Sequence, residues 1–525
     1  MSTSSRKIRG FSLLLALALC LSTWAWAVPA GAQTAFRLLA SVENQDMENL
    51  LKEYAKTQGI TVEVTYQSTM KLMNTLNQEE CPYDGVWLSN SIWLYMLNGK
   101  QRITDSKVTA INPIVFGIRK SKAEALGFTQ GEVSMGDIIE AVQSKRLSFI
   151  MPSATQTNSG ASAYLGFIST LAGSPEVLTM KALEEPTLRE RIKELFSGVT
   201  RNSGSEDYVG ELYETGEYDA MVNYEFLMIG LNQRLQREGK EPLYLIYPKE
   251  GVSLSDSPFA YIDHGDADTK AGFLKLQAYL LGPQAQKAMA ETGRRTGYGG
   301  QNPYGSEAVF SSEWGIDMRA YLTPIKYPAA DVIRQAFRMY QEDFKKPAVT
   351  VFCLDMSGSM YGQGYRELTS AMEQLLTPET AAEDYIQFGE QDQIILIPFD
   401  SKPRSTITGS GKDQQALLRA LARQEARGGT DIYAALSAAY KQLAAYDEES
   451  HTLSVVLMTD GLSAGDIQQF AKVHQKNTQT IGVYSITFGD ADTQQLERVA
   501  ALTGGKVFNG KTDLAEAFRT VRGYN

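Results

Sequence analysis

Five oxygen-bearing side chains stand where an α/β chain gathers its ligands. Asp355, Ser357 and Ser359 belong to the run Asp-Met-Ser-Gly-Ser that begins as the apolar stretch Val349 to Leu354 ends. Thr430 lies in Gly428-Gly429-Thr430-Asp431, and Asp460 directly follows the apolar stretch Leu453 to Thr459. An Asp and two Ser spaced by two residues in a loop put three oxygens on one side of the turn. Two carboxylates and three hydroxyls suit a hard divalent cation of the Mg²⁺ type, which takes about six oxygen ligands. The set holds no sulfur or imidazole, which disfavours zinc and copper. Two carboxylates balance the ion and leave it a Lewis acid with positions that a partner's carboxylate can fill. Any one of these residues alone reads as a turn or helix cap; five in order, each after a predicted strand or loop, read as a metal site.

For these side chains to meet, the apolar runs must be parallel strands whose carboxyl ends share one edge of a sheet. Val349 to Leu354, Ile394 to Phe399, Leu453 to Thr459 and Gly482 to Phe488 are such runs, separated by helical stretches, and they suit a sheet covered on both faces. On these residues the segment 348–525 resembles a von Willebrand factor type A (VWA) domain, with Asp355, Ser357, Ser359, Thr430 and Asp460 matching a complete metal-ion-dependent adhesion site. The resemblance implies a Rossmann-like doubly wound fold, Mg²⁺ or in its place Mn²⁺ or Ca²⁺, and a protein partner bound through the metal.

Upstream, short β-rich runs alternate with helical patterns from Phe36 onward, which requires a layered α/β arrangement. Strands are predicted over Phe36 to Ser41, Ile60 to Tyr66, Tyr83 to Trp87, Ile114 to Arg119, Ser148 to Met151 and Leu243 to Tyr247, and helices over Gln45 to Thr57 and Ser134 to Ser144. Hydroxyl- and amide-rich loops fall at the strand ends, the richest being Ser153 to Gly160 ahead of an apolar helical stretch. Free N–H groups at such a helix start, beside hydroxyls, make an anion cradle. Ser68-Thr69, Asn112-Pro113-Ile114-Val115, Thr155 to Gly160, Asn223-Tyr224-Glu225 and the tail from Gly282-Pro283 to Arg294-Arg295 give this part a resemblance to type 2 periplasmic solute-binding proteins, similar to those for molybdate, tungstate or phosphate. That resemblance implies two α/β lobes closing on a small-molecule or oxyanion ligand, with Ser41, Ser68, Thr155, Asn158 and Asn223 as contacts. Tyr224 and Glu225 depart from a clean oxyanion binder, since Glu225 repels an anion unless it points away.

The expected organisation is a signal peptide over 1–32, a two-lobed solute-binding-like domain over 33–300, a connector over 301–347 with one helix, and the VWA domain over 348–525. A length of 525 residues with 43% apolar and 21% charged residues fits about three folded units and excludes a disordered or fibrous chain. Arg6, Lys7 and Arg9, the apolar run Phe11 to Leu21 and the ending Ala30-Gly31-Ala32 have the order of a secretory signal. Left uncleaved, the stretch Phe11 to Val28 approaches the ~20 residues that span a bilayer and would anchor the protein. Either fate puts the bulk outside the cytoplasm of a bacterium, in the periplasm, on the cell surface or secreted. The net charge of −11 without a basic block argues against nucleic acid. Cys20 lies in the signal, and Cys81 and Cys353 are too few for disulfides to hold the fold, although a bridge between them is open.

Catalysis finds little footing. His264, His451 and His474 are isolated, and Gly409-Ser410-Gly411-Lys412 lacks the spacing of a phosphate-binding loop. The leading expectation is a non-enzymatic exported binding or adhesion protein, with a protein partner at the metal and a second ligand in the clamshell. A transport-associated receptor docked through its VWA domain is the alternative. A metal-dependent hydrolase ranks third, because no general base beyond the ligands is visible.

Overall fold

The computed structural model describes residues 35–510 except 217, 384, 461–462 and 488–492, and residue 523. Three sheets organise it. In the first, β1 (Phe36–Ser41) is central enough to be buried almost throughout and pairs in parallel with β2 (Val62–Gln67) and β3 (Gly85–Trp87). Antiparallel β11 (Pro258–Ile262) and then β4 (Ile103–Val108) complete the order β2-β1-β3-β11-β4. The second sheet runs β10-β5-β8-β6-β7, from β5 (Asn112–Arg119), β6 (Phe149–Pro152), β7 (Val199–Ser203), β8 (Ala220–Tyr224) and β10 (Ser253–Ser255), with β9 (Leu243–Ile246) also on β5.

Each sheet is the centre of one lobe, and the chain crosses between lobes from β4 to β5 and again from β10 to β11. The crossings grip each other: Thr109 N and Oγ1 donate to the Ser257 carbonyl at 3.2 and 2.7 Å, and Asn112 Nδ2 donates to Ser257 Oγ at 3.0 Å. Ser257 holds φ at 35°, a region that its Cβ makes costly, and these bonds hold it there. The returning tail adds a third link, with paired backbone bonds between Ile111 and Arg295. Arg295 is wholly buried; its guanidinium makes a two-pronged bond to the buried Glu225, both prongs at 2.7 Å, and donates to the Gly300 and Asp317 carbonyls. Glu225 therefore points away from the cleft, as an anion-binding reading would need.

The segment after residue 300 is packed rather than loose. Phe310, Trp314, Ile316 and Leu322 bury against Met221, Ile229 and Leu245 of the second lobe. Further on it lies over both lobes at once. Tyr327 Oη accepts from Asn90 Nδ2 of the first lobe at 2.7 Å and pairs with Ser253 Oγ of the second at 2.9 Å. The helix Ala330–Met339 presents Phe337 to Trp93 of the first lobe, while Tyr164 of the second donates to the Ala336 carbonyl at 2.8 Å.

The third sheet has the order β14-β13-β12-β15-β16-β17. Its strands β12 (Ala348–Asp355), β13 (Gln393–Phe399), β15 (Thr452–Thr459), β16 (Gly482–Thr487) and β17 (Lys506–Asn509) are parallel, and β14 (Ile407–Ser410) is an antiparallel edge. Alternation along β12 sends side chains to both faces: Phe352 and Leu354 pack with Met372 and Leu375 of the helix Gln363–Leu376, and Val351 and Cys353 with Ala435 and Leu436 of the helix Ile432–Leu443. This is the doubly wound arrangement. The seam to the second lobe is polar, with Arg201 Nη2 donating to Tyr484 Oη at 2.7 Å and to the Gly504 carbonyl at 3.2 Å.

The expected strands are present within two residues at most ends, and the helix at Ser134 closes the capping box with Asp137. Cys81 and Cys353 are buried free thiols, so no bridge joins them. The expected signal and Cys20 lie outside the described residues.

Candidate functional site

At the carboxyl edge of the third sheet, β12 and β15 are hydrogen-bonded neighbours, which brings residues about a hundred positions apart side by side. Asp355 closes β12 and is wholly buried; its Oδ1 accepts from Ser357 N at 2.8 Å and its Oδ2 from Thr459 Oγ1 at 2.7 Å. The Ser357 and Ser359 hydroxyls are 3.0 Å apart, and Ser359 Oγ donates to Asp460 Oδ1 at 3.0 Å. Four of the five expected metal residues thus form one continuous chain of contacts.

Thr430 arrives on a neighbouring loop. Gly358 N donates to the Gly428 carbonyl at 2.9 Å and Arg427 N to that of Met356 at 2.7 Å, an approach that a Cβ on Gly358 would crowd at 3.3 Å. No hydrogen bond joins the Thr430 hydroxyl to the other four among the described residues. Asp400 and Arg404 support this loop and escaped the sequence reading: Arg404 Nη2 reaches Asp400 Oδ2 at 2.9 Å and the Met356 carbonyl at 3.1 Å, and Asp431 N donates to the Asp400 carbonyl at 2.9 Å. Their signal was available, since Asp400 follows the end of β13 as Asp460 follows β15.

Burial pushes the Asp355 carboxyl above its ordinary value, and the charge of Asp460 pushes it the same way; burial also raises Asp460. Two desolvated carboxyls without a counter-charge favour a cation between them. The donors fit a hard divalent ion. Among the described residues no three His, Cys, Asp or Glu side chains group as a metal site, so an ion at this edge would need the hydroxyls as well as the two carboxylates.

In the two-lobed part, Ser41 Oγ accepts from Ser89 N at 3.2 Å at the edge of the first lobe. Across the junction Asn158 is fully enclosed: Oδ1 accepts from Trp93 Nε1 at 2.5 Å, and Nδ2 donates to Ser255 Oγ at 3.1 Å and to the Tyr224 hydroxyl. Asn223 Nδ2 donates to the Glu206 carbonyl at 2.9 Å, and Asn223 Oδ1 accepts from Tyr224 N at 2.8 Å. Asn158 therefore bridges the two lobes, whereas Ser41 and Asn223 are bonded within their own lobes. Ser68 precedes the helix Thr69–Leu76 without capping it. Thr155 sits elsewhere, on the seam, where its hydroxyl donates to the Tyr385 carbonyl at 3.3 Å and accepts from Gln341 Nε2 at 2.6 Å. The expected anion cradle at the start of the helix Asn158–Leu171 is filled from within: Glu206 Oε1 accepts from Asn158 N at 2.8 Å and Ser159 N at 3.2 Å.

These two sites belong to two recognisable kinds of domain. Residues 37–295 match the family model of bacterial extracellular solute-binding proteins, and residues 350–463 that of the von Willebrand factor type A domain. The chain thus joins an extracellular solute-binding domain to a VWA domain.

Among curated proteins it is 29% identical over 173 residues to calcium-activated chloride channel regulator 3A-1 of Mus musculus and 26% identical over 174 residues to calcium-activated chloride channel regulator 1 of Bos taurus. Each match takes in 32% of this chain and spans 18% of the relative's length. Solved structures similar to it include the periplasmic binding protein AfuA from Actinobacillus pleuropneumoniae, at 14% identity and a TM-score of 0.44 over 59% of this chain and 98% of that one. The ferric binding protein from Campylobacter jejuni gives 14% and 0.42 over 58% and 98%, and the von Willebrand factor type A protein from Catenulispora acidiphila 18% and 0.29 over 34% and 42%.

Proposed function

We propose that this is an extracytoplasmic bacterial binding protein, without catalytic activity, that captures a protein partner through a divalent cation at the VWA edge and a small ligand between its two lobes. The observation that carries the first half is the unbroken run of contacts Asp355, Ser357, Ser359, Asp460 across the ends of β12 and β15. Asp355, Ser357, Ser359, Thr430 and Asp460 would hold the ion, which supplies a Lewis-acidic position for an acidic side chain of the partner. The chain's own residues do the rest: Thr459 and the Ser357 amide fix the Asp355 carboxylate, and Arg404 holds the adjoining loop. The exposed ring of Tyr361, two residues beyond Ser359, offers apolar contact at the rim. Among the described residues no helix is long and apolar enough to cross a membrane.

Titration calorimetry with Mg²⁺ tests the reading. The wild type is expected to bind, and Asp355→Ala to lose at least tenfold in affinity. Affinity capture from envelope extracts should retain a partner with Mg²⁺ and release it with EDTA. Equal Mg²⁺ affinity in the two proteins would falsify the assignment.

A further inference from the structure

We propose that the two-lobed domain binds a linear organic polyamine, with one ammonium group held between Glu43 and Glu206 and the remaining chain laid along the groove between the helices Glu206–Thr215 and Glu225–Arg237. This rests on reading that domain as a ligand clamp and names the chemistry of what it clamps.

The geometry first removes the anion. The N–H groups of Asn158 and Ser159, which would cradle an oxyanion, already bond the chain's own Glu206 carboxylate. An incoming anion would have to displace a negative charge and then sit beside it.

No ion pair engages the Glu43 or Glu206 carboxylate among the described residues; Arg294 donates to the Glu43 backbone carbonyl at 2.8 Å but pairs with Asp46. Glu43 follows β1 in the first lobe, and its Oε1 is buried without a hydrogen-bond partner. Ser89, 2% exposed, lies beside that carboxylate and is its side-chain partner. On the facing side the Ser159 hydroxyl is buried and unpartnered as well. The two sides are in direct contact, since Asn90, next to Ser89, donates to Ser162 Oγ at 2.9 Å on the helix that Asn158 and Ser159 begin. Buried oxygens of this kind are normally bonded. Burial and the charge of Glu206 raise the Glu43 carboxyl to about 8, and Asp207 adds to the effect.

An ammonium group supplies three N–H donors to such oxygens. A metal ion is less well served, because no three acidic or imidazole side chains converge among the described residues. The groove explains why the ligand is longer than one amine. It is a cavity of about 380 Å³ with Glu206 at one end and Asp207, Glu211 and Glu214 along the same helix. Its one cation, Arg234, reaches Glu214 at 3.3 Å. From Glu206 to Glu214 the helix rises about 12 Å, the reach of an extended triamine.

The test is titration calorimetry on the full chain, in EDTA to silence the VWA edge, with spermidine, tetramethylammonium and sulfate as probes. Spermidine is expected to bind, and Glu43→Gln and Glu206→Gln each to weaken it at least tenfold. Glu43→Gln is the more decisive variant, because the Glu43 Oε1 accepts no hydrogen bond whereas Glu206 accepts from the N–H groups that begin a helix. Tetramethylammonium, which has no N–H, and sulfate should bind weakly or not at all. Unchanged spermidine affinity in Glu43→Gln, or binding of sulfate alone, overturns the polyamine assignment while leaving the clamp reading intact. Failure of all three probes to bind overturns both.

Discussion

Arg201 of the second lobe and Tyr484 of the VWA sheet face each other with 2.7 Å between guanidinium Nη2 and phenol oxygen. No carboxylate forms an ion pair with Arg201 among the described residues; the Tyr484 hydroxyl and the Gly504 carbonyl receive its charge instead. A hydrogen bond to a charged group contributes about 1.5–3 kcal/mol. Tyr484→Phe should therefore lower the stability of the joined domains by that order. Scanning calorimetry should show the VWA transition moving to lower temperature in the variant, and an unmoved transition would mean that the seam does not couple the domains.

Glu225 and Arg295 are both fully buried and bonded on both prongs. Removing one member of such a pair strands a charge, at a cost of about 3–5 kcal/mol. Arg295→Met should approach that loss in urea denaturation, and the double variant with Glu225→Gln should recover part of it. A double variant less stable than Arg295→Met alone would count against an energetic role for the stranded charge.

The Glu43 carboxyl, raised to about 8 by burial and by the charge of Glu206, also gives stability a pH slope. In the unfolded chain it ionises near 4.5, so between about pH 4.5 and 8 the unfolded state has released a proton that the folded state keeps. Folding stability from this group therefore falls as pH rises through that window and levels off above it. Glu43→Gln should match wild type near pH 4.5 and exceed it at about pH 8.5 in thermal melts without ligand. Parallel melting profiles for the two proteins across that range would contradict it.

Much of the VWA half was legible because its physics is local. Val349 to Leu354 is apolar at every position but Thr350, as a strand covered on both faces must be, and the candidate ligand Asp355 directly follows it. Strands such as Ile103–Val108, largely exposed, and Val199–Ser203, polar in sequence, carry no such pattern and emerge only through pairing. The cleft shows the same limit at the level of single side chains. Thr155 and Asn158 share one loop and one composition, yet the fold sends Thr155 to the VWA seam and Asn158 to the interlobe junction. Glu206 fills the N–H cradle of a helix that begins 48 residues earlier, a partnership that no local spacing encodes.

Tyr327 bonds to both lobes, and Phe337 and Ala336 of the helix that follows it meet Trp93 of the first and Tyr164 of the second, contacts that opening the lobes has to break. In an unstrapped clamp the ligand alone supplies the free energy of closure, and its apparent affinity is reduced by the fraction of molecules that are open. Here the chain itself supplies contacts across the junction, which would shift the resting population toward closure. The strap leads within ten residues into β12, whose far end is Asp355. A ligand held between the lobes would thereby exchange slowly, which suits a long-lived resident better than a cargo handed on at every encounter.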